Sequence, residues 1–146
     1  MTTTKDVGDA GEAQALAHLL RQGLTLVERN YRVARGPHAQ GGEVDLILRE
    51  RDGTLVFVEV RTRRGTSAGG GSLGRTALGS GSASRTSFGG AAASVGATKQ
   101  RRLVLAAQHF LRRFKTLPAC RFDVVTIEGQ GAQARIEWFR AAFDTS

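Results

Sequence analysis

Gly42-Glu43-Val44-Asp45-Leu46-Ile47-Leu48-Arg49-Glu50, then Arg51-Asp52-Gly53, then Thr54-Leu55-Val56-Phe57-Val58-Glu59-Val60-Arg61, is the stretch that decides how this chain folds. Two runs rich in β-branched and aliphatic residues flank an Asp-Gly turn signal, the pattern of a hairpin. Both runs also carry acidic side chains among apolar neighbours. A carboxylate in a strand-built interior is costly unless a partner charge or a cation compensates it. Loop length decides whether the carboxylates meet. A three-residue loop with Gly53 left-handed pairs Glu50 with Thr54, and so sets Asp45 against Glu59 and Glu43 against Arg61. A two-residue Asp52-Gly53 turn instead sets Asp45 opposite Val60, on the face away from Glu59.

Working outward, residues 7–22 carry Ala13, Leu16, Ala17 and Leu20 at i, i+3, i+4 and i+7, which predicts a helix with that stripe buried. Gly23 is its expected C-cap. Residues 24–33 read as a first strand, 43–50 and 55–63 as the second and third. A second helix is expected over 98–115, with Leu103, Ala107, Phe110 and Phe114 on its core face and Pro118 just beyond it. Strands at 120–128 and 134–139 close the pattern, an α/β chain in the order α-β-β-β-α-β-β. Between the third strand and the second helix, residues 65–90 are rich in Gly, Ser, Ala and Thr, and predict a flexible inserted loop.

The 146 residues suit one domain, residues 1–146, and 40% hydrophobic content supplies a core without cross-links. Cys120 is the only cysteine, and no stretch reads as a membrane span or an apolar signal region, so a reducing, cytoplasmic setting and no membrane partner are expected. With 21 Lys and Arg against 13 Asp and Glu the formal charge is +8. Such an excess favours a polyanion, and nucleic acid is the expected partner.

The residues that suggest chemistry are Glu12 on the first helix, Asp45 on the second strand, and Glu59 with Arg61 on the third. Carboxylates converging from two strands and a helix are hard oxygen ligands for Mg²⁺ or Mn²⁺, and a cation two residues past Glu59 shares its face and can hold a phosphate. The competing reading makes Asp45, Glu59 and Arg61 a buried ion-pair set that fixes strand register. His18, His38 and His109 lack the spacing of a zinc site. Asp123 reads as a partner of Arg121, and Trp138, Phe139 and Phe143 as cover for the core edge. Arg63, Arg64, Lys99, Arg101 and Arg102 are the expected nucleic-acid contacts.

Gly8-Asp9-Ala10-Gly11-Glu12, Glu28-Arg29-Asn30-Tyr31, Gly42 to Ile47, Val56 to Arg63, Lys99-Gln100-Arg101-Arg102 and Arg121 to Val125 together resemble the YraN family of uncharacterised bacterial proteins. These are predicted endonucleases, distantly similar to archaeal Holliday junction resolvases. The resemblance implies a restriction-endonuclease-like core of the PD-(D/E)xK type, a mixed sheet flanked by helices. It implies Asp45 and Glu59 as ligands of Mg²⁺ or Mn²⁺, Glu12 as a further helix-borne carboxylate, and Gln100 as an auxiliary polar residue. The family pattern carries lysine where this chain has Arg61, which stays protonated and clamps phosphate well but is a poor base. The expectation is a metal-dependent endonuclease acting on DNA, branched or otherwise structured, for which a homodimer would suit by symmetry. The alternative is a nucleic-acid-binding protein with this fold and little or no cleavage.

Overall fold

Leu55, Val56, Phe57 and Val58 are all buried, a continuous run of the kind found in a strand covered on both faces. In the computed structural model, which describes residues 4–34, 36–37, 41–63, 95–129 and 131–143, that strand is the centre of a five-stranded sheet. The described elements are α1 (Thr4–Arg21), β1 (Thr25–Val33), β2 (Gly42–Arg49), β3 (Leu55–Arg63), α2 (Ala97–Leu111), β4 (Cys120–Glu128), a 3-10 turn (Gly131–Gln133) and β5 (Arg135–Phe143). The expected loop over 65–90, with Arg64 before it, lies outside the described residues.

Strand order is β1-β2-β3-β4-β5. β1, β2 and β3 form an antiparallel meander, β3 and β4 are parallel, and β5 returns antiparallel to β4. This α/β arrangement is the class expected from the strand and helix pattern. Alternate residues of β3 supply two separate cores. Leu55 and Phe57 join Leu103, Ala106, Ala107 and Phe110 of α2, while Val56 and Val58 join Ala15 and Leu19 of α1. The helices therefore cover opposite faces of the sheet.

The hairpin takes the three-residue loop. Glu50 N–H donates to Thr54 O at 2.9 Å and Gly53 N–H to Glu50 O at 2.9 Å. Gly53 has φ of 96°, a value glycine reaches without strain, and Asp52 Oδ1 accepts from Thr54 N–H at 2.9 Å. Gly23 ends α1 as expected. With φ of 101° it closes a Schellman motif, in which Leu24 N–H reaches Leu19 O at 3.2 Å and Gly23 N–H reaches Leu20 O at 3.0 Å.

Several expectations require correction. The buried line of α1 is Gly11, Ala15 and Leu19, whereas Ala13 and Ala17 are exposed and Leu20 is 44% exposed. The reason is steric. A Cβ on Gly11 would lie 2.1 Å from Thr62 Cγ2 of β3, so the helix turns its smallest residue toward the sheet and rolls the apolar stripe aside. α2 ends at Leu111 rather than at Lys115, because Arg112, Arg113 and Phe114 donate to carbonyls three residues back and tighten the last turn. Ala106 joins Leu103, Ala107 and Phe110 in the core, and Phe114, beyond the helix, packs only at its edge. β5 runs on to Phe143, with Phe139 and Phe143 against the α2 core and Trp138 against the α1 core.

Asp123 is fully buried, and its carboxylate accepts from Arg121 Nε at 3.0 Å, Trp138 Nε1 at 2.8 Å and Ala141 N–H at 2.9 Å. Arg121 also binds Glu50 beside the hairpin loop. The expected Arg121–Asp123 pair thus ties β5 to the β2–β3 turn, away from Glu59.

Gly11→Ala is expected to lower stability by about 1–3 kcal/mol, the usual cost of overpacking a close contact. Gly8→Ala, with nothing within 4 Å of the added carbon, should be neutral or slightly stabilising. Thermal melts of both, and of Gly11→Ala combined with Thr62→Ser, check this. Equal melting of the two single variants would contradict the proposed contact.

Candidate functional site

β2 and β3 pair from Arg49↔Leu55 to Leu46↔Val58, and there the paired ladder ends. Asp45 and Glu59 are the next residues on each strand. The Val60 N–H, free of the ladder, donates to Asp45 Oδ2 at 2.8 Å. The Asp45 carboxylate thus stands in for a backbone acceptor and is held across the opening between the strands.

A change of face accompanies this opening. Leu46 and Leu48 lie in the α1 core, whereas Val44 lies in the α2 core and Gly42 rests on α2, where a Cβ would come within 2.8 Å of Ala106 N and Arg102 O. On β1, Arg29 reaches Glu12 of α1, while Tyr31 packs with the α2 core. Arg29↔Leu46 and Tyr31↔Val44 are partners, so the residues between them, Asn30 and Asp45, mark the crossover. Asn30 has φ of 48°, in the left-handed region that asparagine tolerates better than most residues. This twist lets Asp45 interact with groups from both helices.

From the α2 side comes Glu59, 2% exposed and in the same alternation as Leu55 and Phe57. Burial, then the adjacent Asp45 charge, push its carboxyl up to about 7, against the opposing influence of Lys99. Asp45 is also raised by burial, with the Val60 N–H, a hydrogen bond from Glu59 and the Lys99 charge working the other way. Lys99, in the first turn of α2, places Nζ 2.9 Å from Glu59 Oε2, but without the alignment of a hydrogen bond, so this buried oxygen has no directed donor.

From the α1 side comes Glu12. Burial and the Asp45 charge raise its pKa, partly offset by Arg29 and Asn30. Arg29 Nη2 lies 3.9 Å from Glu12 Oε1. With its amide nitrogen turned toward the carboxylate, Asn30 donates to both Glu12 oxygens at 3.2 Å. Gly11 is what brings this turn of α1 so close to β3.

The remaining candidates distribute unevenly. Gln100 donates from Nε2 to Val95 O at 2.8 Å and so braces the entry to α2. Among the described residues Arg61 has no ion-pair partner. The expected Glu43–Arg61 pair does not form, because β2 has left β3 before Glu43. Glu43 instead binds Arg32 at 3.3 Å and Arg102 at 3.6 Å. Arg101 reaches Thr98 at 3.3 Å, and exposed Arg63 ends β3. Away from the site, His109 Nδ1 is 2.6 Å from Tyr31 Oη. No three His, Cys, Asp or Glu side chains among the described residues converge as a metal-holding group. The acidic set is thus a close pair, Asp45 and Glu59, with Glu12 held back by Asn30 and Arg29. Two participants escaped sequence reasoning in these roles. Asn30 appeared only within a quoted stretch, and Lys99 only within another and as a nucleic-acid contact.

Comparison with known proteins assigns the chain to a family. Its sequence matches the profile of Uncharacterised protein family UPF0102 over residues 11–79 and 81–127. The chain belongs to this family. UPF0102 is the YraN family that the sequence resembles, and the match spans α1 to β4, hence every residue of the acidic site. Relatives within UPF0102 include a protein of Methylibium petroleiphilum, 58% identical over 146 residues that cover 100% of both chains. Another, from an Acidovorax species, is 53% identical over 144 residues, 99% of this chain and 89% of the relative. A third, from Polaromonas naphthalenivorans, is 48% identical over 149 aligned positions, 99% of this chain and 82% of the relative.

The raised Glu59 pKa has a consequence for stability. Between its ordinary value of 4.5 and about 7 the folded protein holds a proton that the unfolded chain has released, so stability declines as pH rises through that window. Glu59→Gln should flatten most of the decline, and should melt on the order of 5 °C above the wild type near pH 8. Parallel melting-temperature profiles of the two proteins from acid to alkaline pH would contradict the assignment.

Proposed function

We propose that this protein is a divalent-metal-dependent endonuclease acting on DNA. The observation that carries the reading is the Asp45–Glu59 pair, a half-buried and a buried carboxyl at the mouth of an opened ladder with a cation already drawn to them. A pair that raises its own proton affinity is poorly satisfied by one lysine. Mg²⁺ is commonly held by one or two carboxylates, with water or phosphate oxygens completing its shell, so a pair suffices and the donor chemistry fits. Asp45 and Glu59 would hold the ion. When bound, it supplies charge neutralisation at a phosphate and a water acidic enough to attack phosphorus near neutral pH.

The chain's own residues do the rest. The Val60 N–H fixes the Asp45 carboxylate in one orientation, and its half-buried setting reduces screening by bulk water. Glu12, raised in pKa and steered by Asn30, is placed to accept or return a proton at the α1 side of the pair. Arg61 follows Glu59 on the same face of β3, and its fixed charge suits the negative charge that develops on phosphate in the transition state. Lys99, Arg101 and Arg102 bring cations to the start of α2, and the formal charge of +8 draws a polyanion from a distance.

Arg61 favours a second reading, a nucleic-acid-binding protein with little or no cleavage, because a permanently protonated side chain cannot take a proton from water. Binding that weakens with salt, without turnover, would support it. The deciding experiment is cleavage of duplex, single-stranded, flap and four-way DNA with Mg²⁺ or Mn²⁺. Asp45→Asn and Glu59→Gln are each expected to lose at least on the order of a hundredfold in rate. If wild type and Asp45→Asn behave alike on every substrate, the nuclease proposal falls.

A further inference from the structure

Lys99 is the one side chain whose position invites a role beyond substrate attraction. It is half-exposed along its length, yet its ammonium lies 2.9 Å from a carboxylate that is 2% exposed. The approach comes from the first turn of α2, where Gly96 provides no side-chain cap and no acidic residue competes for the ammonium. Gln100 holds this turn by its bond to Val95 O, so the backbone under Lys99 is braced while its four-carbon stem keeps the rotatable bonds of any lysine. Glu59 Oε2 receives the ammonium's charge without a directed hydrogen bond. A compact cation seated off-axis on an oxygen satisfies charge more than it satisfies direction. Arg61, the nearer cation in sequence, carries no ion pair among the described residues.

We propose that Lys99 is a built-in counter-ion that occupies the cation position of the Asp45–Glu59 pair in the metal-free protein and must withdraw when a divalent cation enters. This rests on the reading of that pair as a metal site, and adds that the site is regulated by a tethered competitor. Neutralising two adjacent carboxylates with one ammonium leaves net negative charge for a dication to exploit, so exchange is favourable, though weaker than binding to an unguarded pair. The displaced ammonium stays on its stem at the mouth of the site, where an incoming phosphate provides its next partner.

Mn²⁺ binding tests the idea, with free ion followed by electron paramagnetic resonance near pH 8 in wild type, Lys99→Met, Lys99→Gln, Lys99→Arg and Asp45→Asn. Removing the competitor should tighten Mn²⁺ binding about tenfold in Lys99→Met and Lys99→Gln, the scale of one lost ionic competitor. Lys99→Arg should stay near wild type. Asp45→Asn should abolish binding in both the wild-type and the Lys99→Met backgrounds. Mn²⁺ should also raise the melting temperature of Lys99→Met more than that of wild type, a readout that holds if this variant is poorly folded without metal. Wild-type binding lost in Asp45→Asn but unchanged or weakened by Lys99→Met and Lys99→Gln overturns the counter-ion role and leaves the metal reading standing. Absence of Asp45-dependent binding in every protein overturns both.

Discussion

The early end of the β2–β3 ladder is the constraint on which the site depends. Beyond Leu46↔Val58 a backbone donor on β3 loses its strand partner, and an orphaned buried N–H costs about as much as a lost hydrogen bond. The Asp45 side chain supplies the missing acceptor. That substitution fixes where the carboxylate points, and it holds the half-buried carboxylate beside Glu59. The same opening permits β1 and β2 to change face at Asn30 and Asp45, so that one acidic residue communicates with both helical layers. A uniform ladder would have kept α1 and α2 on separate chemistries.

Small residues carry the architecture that this opening needs. At Gly11 the α1 backbone seats on the Thr62 side chain of β3, and at Gly42 the opened end of β2 seats on the α2 backbone. Each is followed by a glutamate, Glu12 and Glu43, and the two have different fates. Glu12 is drawn to the acidic pair and tempered by Asn30. Glu43 is neutralised by two arginines. Ion pairs hold Glu43, Asp123 and Glu59 alike, with different geometry. At Asp123 the partners are directed hydrogen bonds from three sides. At Glu59 the partner is a flexible ammonium out of line.

The hairpin was legible because its signals are local. Asp52 and Gly53 specify a loop type, and loop type fixes the Asp45–Glu59 apposition. The parallel pairing of β3 with β4 was compatible with the intervening helix but had no local marker. The buried line of α1 was misread because hydropathy ranks Leu20 above Gly11, while the contact with Thr62 depends on size. The Glu43–Arg61 pair failed because alternation was carried past the point where pairing stops, and nothing in the residues announces that point except Asn30, whose tolerance of positive φ is a weak cue. Lys99 was beyond reach of pattern reasoning, since it arrives from an element far away in the chain and only tertiary packing brings it to Glu59.

The parallel pairing of β3 with β4 also sets how much chain must be closed to complete the sheet. The β1–β2–β3 meander closes through short segments, whereas β4 can dock only after the long stretch from Arg63 to Cys120 has been gathered in, at a greater loop-closure cost. Contacts within the meander are thus entropically the less expensive ones, and they already contain Asp45 and Glu59. Lys99 belongs to the later, more expensive closure. The segment that sets two like charges side by side thus closes at less entropic cost than the longer loop that brings in their cation.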